Sequence, residues 1–486
     1  MINLIKNEFI KIFKKKGIYV TFVIIFAFII LINVLFNYAS DIDMNVYYYE
    51  EYPDYDYEKE RLKVLDPENV YDIGEYLSIK TSQDLRALEG KYEDDTWQKD
   101  MVSMQMYGYI YEINQYTYGL NKDEEMLKQA KENYNKIIAK LDKGDWRYFV
   151  NEEISQYKNE LKSLEEQKAY TDDKNMLANI EEQIFSVKVE LEVLEMRLIY
   201  DIAYGRDYLN SAFDNYKWNT MCIRAFENMN EKTYDDERAY QSSLENKAMA
   251  EYIIENKEDV YGLNLRQILM NIFSQYNLFI VIIIVMIAGS LVSDEFSKGT
   301  VKLWLVRPHS RVKMLLAKFI TSMIMILVTM TIVVIMQLLV GGIIFGFDSL
   351  KIPALVYDFN AGELVTMNVF KYMLISGAAY LPFFILIATI AFAISTVLSN
   401  TAIAITIAIL GYISNDIINA LVYQFDIQFM RYFITMNWHL NDYMFGRLPM
   451  AEYLSFGFSA IICTLYFVVL LVPTFIIFKK KNIKNV

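Results

Sequence analysis

The sequence predicts an α-helical membrane protein with six transmembrane helices and a mainly α-helical extracellular domain that contains a coiled-coil-like hairpin. Three observations predict it. Hydrophobic residues make up 54% of the 486, and many fall in nearly uncharged runs long enough to cross a hydrocarbon core of about 30 Å. Charge is divided: residues 41–265 hold 50 acidic and 27 basic side chains, a net of −23, while the rest of the chain holds 10 acidic and 20 basic, a net of +10. The basic excess lies beside the apolar runs, where the positive-inside rule explains it without a phosphate-bearing partner. Nucleic acid is therefore not an expected partner; membrane lipid is. Cys222 and Cys463 lie in different segments and imply no disulfide framework. With His309 and His439 the only histidines, a zinc site of His and Cys ligands is not expected.

Residues 1–17 place Ile2, Leu4, Ile5, Phe9, Ile12 and Phe13 on one broad face and follow with lysines, the pattern of a cytoplasmic amphipathic helix lying in the interface. Residues 18–38 form the first span, read as an uncleaved signal anchor because no small-x-small cleavage pattern precedes Ala39. Residues 41–265 contain no second run of spanning length and form the extracellular domain. It opens on alternating acid and tyrosine, a solvated segment or a surface for a cationic, amphipathic ligand. Leu127, Ala130, Tyr134, Ile137, Ile138 and Leu141 share a face and predict a helix over 123–141. Ile154, Tyr157, Leu161 and Leu164, then Leu177, Ile180, Ile184, Val187, Leu191, Leu194 and Leu198, step at heptad spacing. The turn and cap residues of 168–175 between them predict an antiparallel helical hairpin rather than one rod.

The chain returns through a second span at 266–293, crosses a cytoplasmic loop at 294–313 and leaves through a third at 314–345. Residues 369–398 and 401–422 are the fourth and fifth spans, with Pro382 a kink and Ser399-Asn400 a tight turn. Residues 423–453 are extracellular or re-entrant, 454–478 the sixth span, and the lysines of 479–486 hold a cytoplasmic tail. In the fifth span Asp416 lies in the outer third, about 22 Å from Thr401 at 1.5 Å per residue. It is expected to face the bundle interior or a dimer interface beside Asn415 and Asn419, as a candidate outer gate.

The loop at 294–313 is basic and amphipathic, with Val301, Leu303, Trp304 and Leu305 between Gly299 and Pro308. Its Glu295, Gly299, Thr300, Pro308, Arg311 and Lys318 stand in the spacing E(3)GT(7)PxSR(6)K, which resembles the intracellular coupling loop of ABC-2 type permeases, the membrane subunits of a class of ATP-driven exporters. The order of one span, a large outside domain and five further spans resembles a subgroup of the same family. The resemblance implies a permease that pairs with cytoplasmic ABC ATPase subunits and with a second permease copy or a sister permease. ATP and magnesium would be bound by the ATPase, with no cofactor on this chain. It also implies that Glu295, Gly299, Thr300, Trp304, Pro308, Arg311 and Lys318 couple the ATPase to the spans, Glu295 and Arg311 as opposite charges at the two ends of the loop.

The chain carries no GxxxxGK[ST] phosphate loop, no HExxH and no GxSxG, and its histidines lie in separate loops, so catalysis by this chain is not expected. A Lys-, Ile- and Tyr-rich composition with an acidic outside domain fits a bacterial plasma-membrane exporter of an amphipathic or peptide-like substrate, such as an antimicrobial peptide exported for secretion or immunity. The competing expectation is a non-transporting receptor or adhesion protein with a helical ectodomain, which leaves six spans and the loop pattern without a reason.

Overall fold

The apolar periodicity of the N-terminus resolves into two helices, α1 (Ile2–Phe13) and α2 (Lys16–Asp41), with the chain turning at Lys14-Lys15. A computed structural model describes residues 1–41, 55–94, 96–297, 299–300 and 310–481. Most of the opening acid and tyrosine segment lies outside these residues. The chain divides into two compact units, one of Met1–Met44, Glu231–Glu245 and Val260–Val486, the other of Asn45–Asn230 and Asn246–Asp259.

The second unit is built from helices α3 (Tyr55–Val64), α4 (Ile73–Glu89), α5 (Trp97–Tyr118), α6 (Glu124–Asp142), α7 (Trp146–Ala169), α8 (Lys174–Ile199) and α9 (Tyr208–Asn228), together with the second half of α10 (Tyr234–Asn256). Asp123 caps α6 by accepting from the amides of Glu125 and Met126 at 3.0 Å each. The heptad stripes of α7 and α8 meet each other. Ile154, Leu164, Ile180, Ile184, Val187, Leu191 and Leu194 share one apolar cluster, with Tyr157, Leu161 and Leu198 at its edge. The hairpin turns at Tyr170, and Asp173 starts α8 by accepting from the amides of Asn175 and Met176 at 2.8 and 2.9 Å. A second cluster joins α4, α5 and α6 through Leu88, Met106, Ile110, Ile137 and Leu141.

The first unit contains α1, α2, the first half of α10, α11 (Leu265–Met270), α12 (Ile272–Gln275), α13 (Asn277–Ser290), α14 (Ser293–Ser297), α15 (Arg311–Phe345), β1 (Ala354–Asp358), β2 (Glu363–Met367), α16 (Val369–Leu398), α17 (Thr401–Gln424) and α18 (Phe456–Lys480). Among the described residues, five helices are long and apolar enough to cross a membrane: Lys16–Ala39, Arg311–Phe345, Val369–Leu398, Thr401–Gln424 and Phe456–Lys480. α16 is the most buried of them and brings Phe383, Phe384 and Phe392 into the core. The turn between α16 and α17 is as tight as expected: Ser399 adopts a left-handed φ of 52° and Asn400 caps α17 through the Ile403 amide.

Two expectations, for 266–293 and for 41–265, are corrected, and residues 348–368 add a structured segment. The stretch 266–293 is not one helix; it is broken at Asn271 and Tyr276, leaving α13 with 14 residues. The Asn271 side chain donates to the Gln267 carbonyl at 3.1 Å, a local bond that competes with continuation of the helix. The loop of 348–368 contains an antiparallel hairpin, in register from Ala354 opposite Met367 to Asp358 opposite Glu363, with Gly362 at φ +73° in its turn. Finally, Glu231–Glu245 belongs with the first unit rather than with the domain of 41–265. Its side chains are tied to the segment before α18: Tyr234 Oη donates to the Pro449 carbonyl at 3.0 Å, Gln241 Oε1 accepts from the Leu448 amide at 3.0 Å, and Arg447 pairs with Glu245.

The fully buried polar residues Asn33 of α2 and Gln337 of α15 exchange amide hydrogen bonds of 3.0 and 2.8 Å, and Tyr276 at the helix break donates to Gln337 Oε1 at 2.8 Å. This network needs Gly341, because a Cβ there would stand 2.6 Å from Leu265 Cδ1 and 2.7 Å from Gln337 Nε2. At Gly342 a Cβ would meet the Phe347 ring, which is exposed and free to turn away. Gly341→Ala should therefore destabilise the protein by about 1–3 kcal/mol and Gly342→Ala by clearly less. The unfolding temperatures of the two variants in detergent provide the comparison.

Candidate functional site

A lysine in an apolar helix is costly unless a carboxylate meets it. Lys318, one turn into the apolar part of α15, is 2% exposed and is met by two. Its Nζ donates to Glu8 Oε2 of α1 at 2.6 Å and to Glu295 Oε1 of α14 at 2.8 Å. Lys11 closes the arrangement, donating to Glu8 Oε1 at 2.8 Å and to Glu295 Oε1 at 2.7 Å. Two acids and two bases from three separate stretches thus form a neutral cluster. It exists because α1 turns Leu4, Glu8 and Ile12 inward as one stripe with the carboxylate in the middle. The broad apolar face expected for this helix is correspondingly divided, and Ile2 and Phe13 are exposed.

A second pairing lies beside the first. Lys15 contacts Asp294 Oδ2 at 2.8 Å and donates to Ser290 Oγ at 2.8 Å, while Thr401 donates to Asp294 Oδ1 at 3.1 Å and meets Ser293 Oγ at 2.6 Å. The segment connecting α1 to α2, the end of α13, α14 and the start of α17 are joined in this way. Burial alone would raise the Glu295 carboxyl, but the Lys318 and Lys11 ammoniums outweigh it and hold the group below its ordinary value of 4.5. Burial would likewise lower Lys11, and its bonds to Glu295 and Glu8 outweigh that and raise it. Glu295 Oε2 is buried without a hydrogen-bond partner among the described residues.

Of the residues predicted for the loop, the structure joins Glu295 and Lys318 directly. Thr300 Oγ1 donates weakly to the Glu295 carbonyl at 3.4 Å, and Gly299 turns the chain at φ +66°. Arg311 does not pair with Glu295. It donates to the Lys481 carbonyl at 3.1 Å, and Lys481 in turn donates to the carbonyls of Thr396 and Val397. Glu295 is buried in ion pairs with Lys318 and Lys11. Trp304 and Pro308 lie outside the described residues. Sequence reasoning missed Glu8 and Lys11. The available signal was an acid at i+4 from Leu4 and i−4 from Ile12, inside an otherwise apolar stripe.

At the candidate outer gate the roles of neighbours are exchanged. Asn415, 3% exposed, points inward and uses its whole amide: Nδ2 donates to Asp416 Oδ1 at 2.7 Å and to His439 Nε2 at 3.2 Å, and Oδ1 accepts from Trp438 Nε1 at 2.9 Å and Asn419 Nδ2 at 3.3 Å. Asp416 itself is on the exposed side of the helix. The expectation that it faces the interior of this chain is corrected; one position of helix rotation, about 100°, separates the two residues. Burial lowers the His439 pKa, in keeping with a neutral ring that accepts from Asn415.

The class of protein defined by these features is an α-helical chain with, among the described residues, five helices of membrane-spanning length and a buried charge cluster that joins α1, α14 and α15. It belongs to the family described as protein of unknown function DUF2705, which matches residues 239–484, about half of the chain and the part that contains Glu295 and Lys318. It is also similar to the protein of Bacillus subtilis (strain 168) described as uncharacterized protein YhcI, with 28% identity over 202 residues, 41% of this chain and 64% of that one. The matched stretch is thus less than two thirds of that relative's length. No solved structure matches.

Lys318→Met leaves Glu8 and Glu295 buried with one partly exposed lysine, and should destabilise the protein by about 3–5 kcal/mol; Lys11→Met, at the rim, should cost less. A depressed carboxyl contributes stability above its unfolded value and loses it as pH falls through the folded one. The unfolding temperature should accordingly decline as pH drops below 4.5, and Glu295→Gln should flatten that decline in a pH series of thermal melts.

Proposed function

We propose that this chain is the permease subunit of an ATP-binding cassette exporter of the ABC-2 type, driven by a separate cytoplasmic ATPase and paired with a second permease copy or a sister chain. In this reading α11 to α13 together make the second of six spans and both termini are cytoplasmic. Residues 41–265 are mainly extracellular, with α7 and α8 as their coiled-coil-like hairpin, and the substrate is amphipathic or peptide-like. The observation that carries it is the Glu8, Lys11, Glu295 and Lys318 cluster. It ties the amphipathic helix α1 and the root of the coupling-type loop to α15, so that a push on either is transmitted to a span through buried ion pairs. Glu295 and Lys318 act as positioning residues, and the remaining loop positions, Arg311 among them, meet the ATPase.

Support for a second permease copy comes from α17, the least buried of the five long helices. An acid facing lipid at Asp416 costs on the order of a few kcal/mol, and a second copy over that face removes the cost. With Cys222 and Cys463 replaced by Ser, Ile413→Cys or Ile417→Cys should crosslink two chains in membranes, and a purely monomeric pattern at both positions would remove α17 from the interface. The central test is to coexpress the chain with candidate ABC ATPases of the same genome, purify it and measure ATP turnover. We expect copurification, and Glu295→Ala should lower substrate-stimulated turnover several-fold in the assembled complex. Failure of the two proteins to associate, or unchanged turnover in the variant, would overturn the reading.

A further inference from the structure

Arg197 of α8 sits in the second unit, 7% exposed, with its guanidinium between the Tyr204 and Phe213 rings at 4.4 and 4.5 Å from their centroids. Its hydrogen bonds run to neutral acceptors and leave from one nitrogen: Nη1 donates to the carbonyls of Ile202 and Ala203 at 3.3 and 2.9 Å and to Asn210 Oδ1 at 2.8 Å. Nε has no hydrogen-bond partner, and no carboxylate among the described residues lies within ion-pair distance of the guanidinium. A buried cation without a contacting counter-charge is costly; desolvation pushes this one below the ordinary arginine value, with the charges of Glu153, Asp214 and Asp207 acting in the opposite sense without outweighing it.

The same arginine lines a cavity of about 340 Å³ with Asp100, Met104, Tyr204, Arg206 and Asp214. That volume is at the lower end of pockets that hold small organic ligands. Asp100 is already engaged by Arg206 at 2.7 Å. Asp214 is exposed and has no ion pair among the described residues. The cavity therefore joins a desolvated guanidinium, of a shape suited to a planar carboxylate, to a carboxylate outside ion-pair contact and suited to an ammonium. A simple anion is disfavoured by the −23 balance of residues 41–265; a ligand with no net charge is not.

We infer that this cavity binds a small zwitterion of the amino acid or short-peptide class, its carboxylate on Arg197 and its ammonium toward Asp214. This inference does not depend on the transport reading.

The test uses the full chain in lipid nanodiscs and isothermal titration with alanyl-alanine, its C-terminal amide and its N-acetyl form. The free dipeptide should bind, and both blocked forms should bind at least about tenfold more weakly, as expected when a hydrogen bond to a charged group is lost. Asp214→Asn, a surface change that leaves the helix intact, should weaken the free dipeptide and leave the N-acetyl form unaffected. Arg197→Lys should weaken the free and N-acetyl forms and leave the amide unaffected; its fold is checked by the unfolding temperature. Absence of dipeptide binding at millimolar concentration, or equal binding of the blocked and free forms, would overturn the inference.

Discussion

A lysine inside an apolar helix must find a counter-charge, and where Lys318 finds it decides how three distant parts of the chain meet. The two carboxylates come from position 8 and position 295, and Lys11 makes the set neutral. Each helix contributes an ordinary local pattern, and apart from Glu8 with Lys11 inside α1 none of the pairs is within reach until α1 lies against α15 with α14 beside them. Such a cluster resists partial rearrangement, because withdrawing any one member leaves an unpaired charge buried. It therefore fixes the relative placement of α1, α14 and the start of α15 more firmly than apolar packing, which tolerates sliding, would do.

The same logic recurs with neutral groups. Asn33, Gln337 and Tyr276 satisfy one another inside the core, and Asn415 uses all of its amide on Asp416, His439, Trp438 and Asn419. In an environment with no water to substitute, each such group must be paired within the protein. Two consequences are visible in the chain path. The return from α10 is broken into short helices, with Tyr276 holding Gln337 at one of the breaks, and α17 is rotated so that Asn415 rather than Asp416 faces inward. Arg197 of the second unit departs from this pattern, for its hydrogen bonds run to neutral acceptors alone.

The sequence by itself determined most of the helices. Uncharged runs specify the five long apolar helices to within about three residues at each end, because length and hydropathy are local properties. The stripes of α7 and α8 and the cap at Asp173 were equally legible, since heptad spacing and Asx capping are written in neighbouring residues. Glu295 and Lys318 could be singled out from the spacing of their loop. The tertiary structure alone decided what they do: Glu295 pairs with Lys318 and Lys11 rather than opposing Arg311, and Glu8 joins from the far end of the chain. It also decided that Asn415 is buried and Asp416 exposed, a difference of one residue in helical rotation that apolar surroundings on all sides of α17 leave unmarked. The physical reason is common to these cases. Periodicity and hydropathy are sums over adjacent residues, whereas the partner of a buried charge or amide depends on which distant helices come within about 3 Å, a separation set only once the bundle has packed.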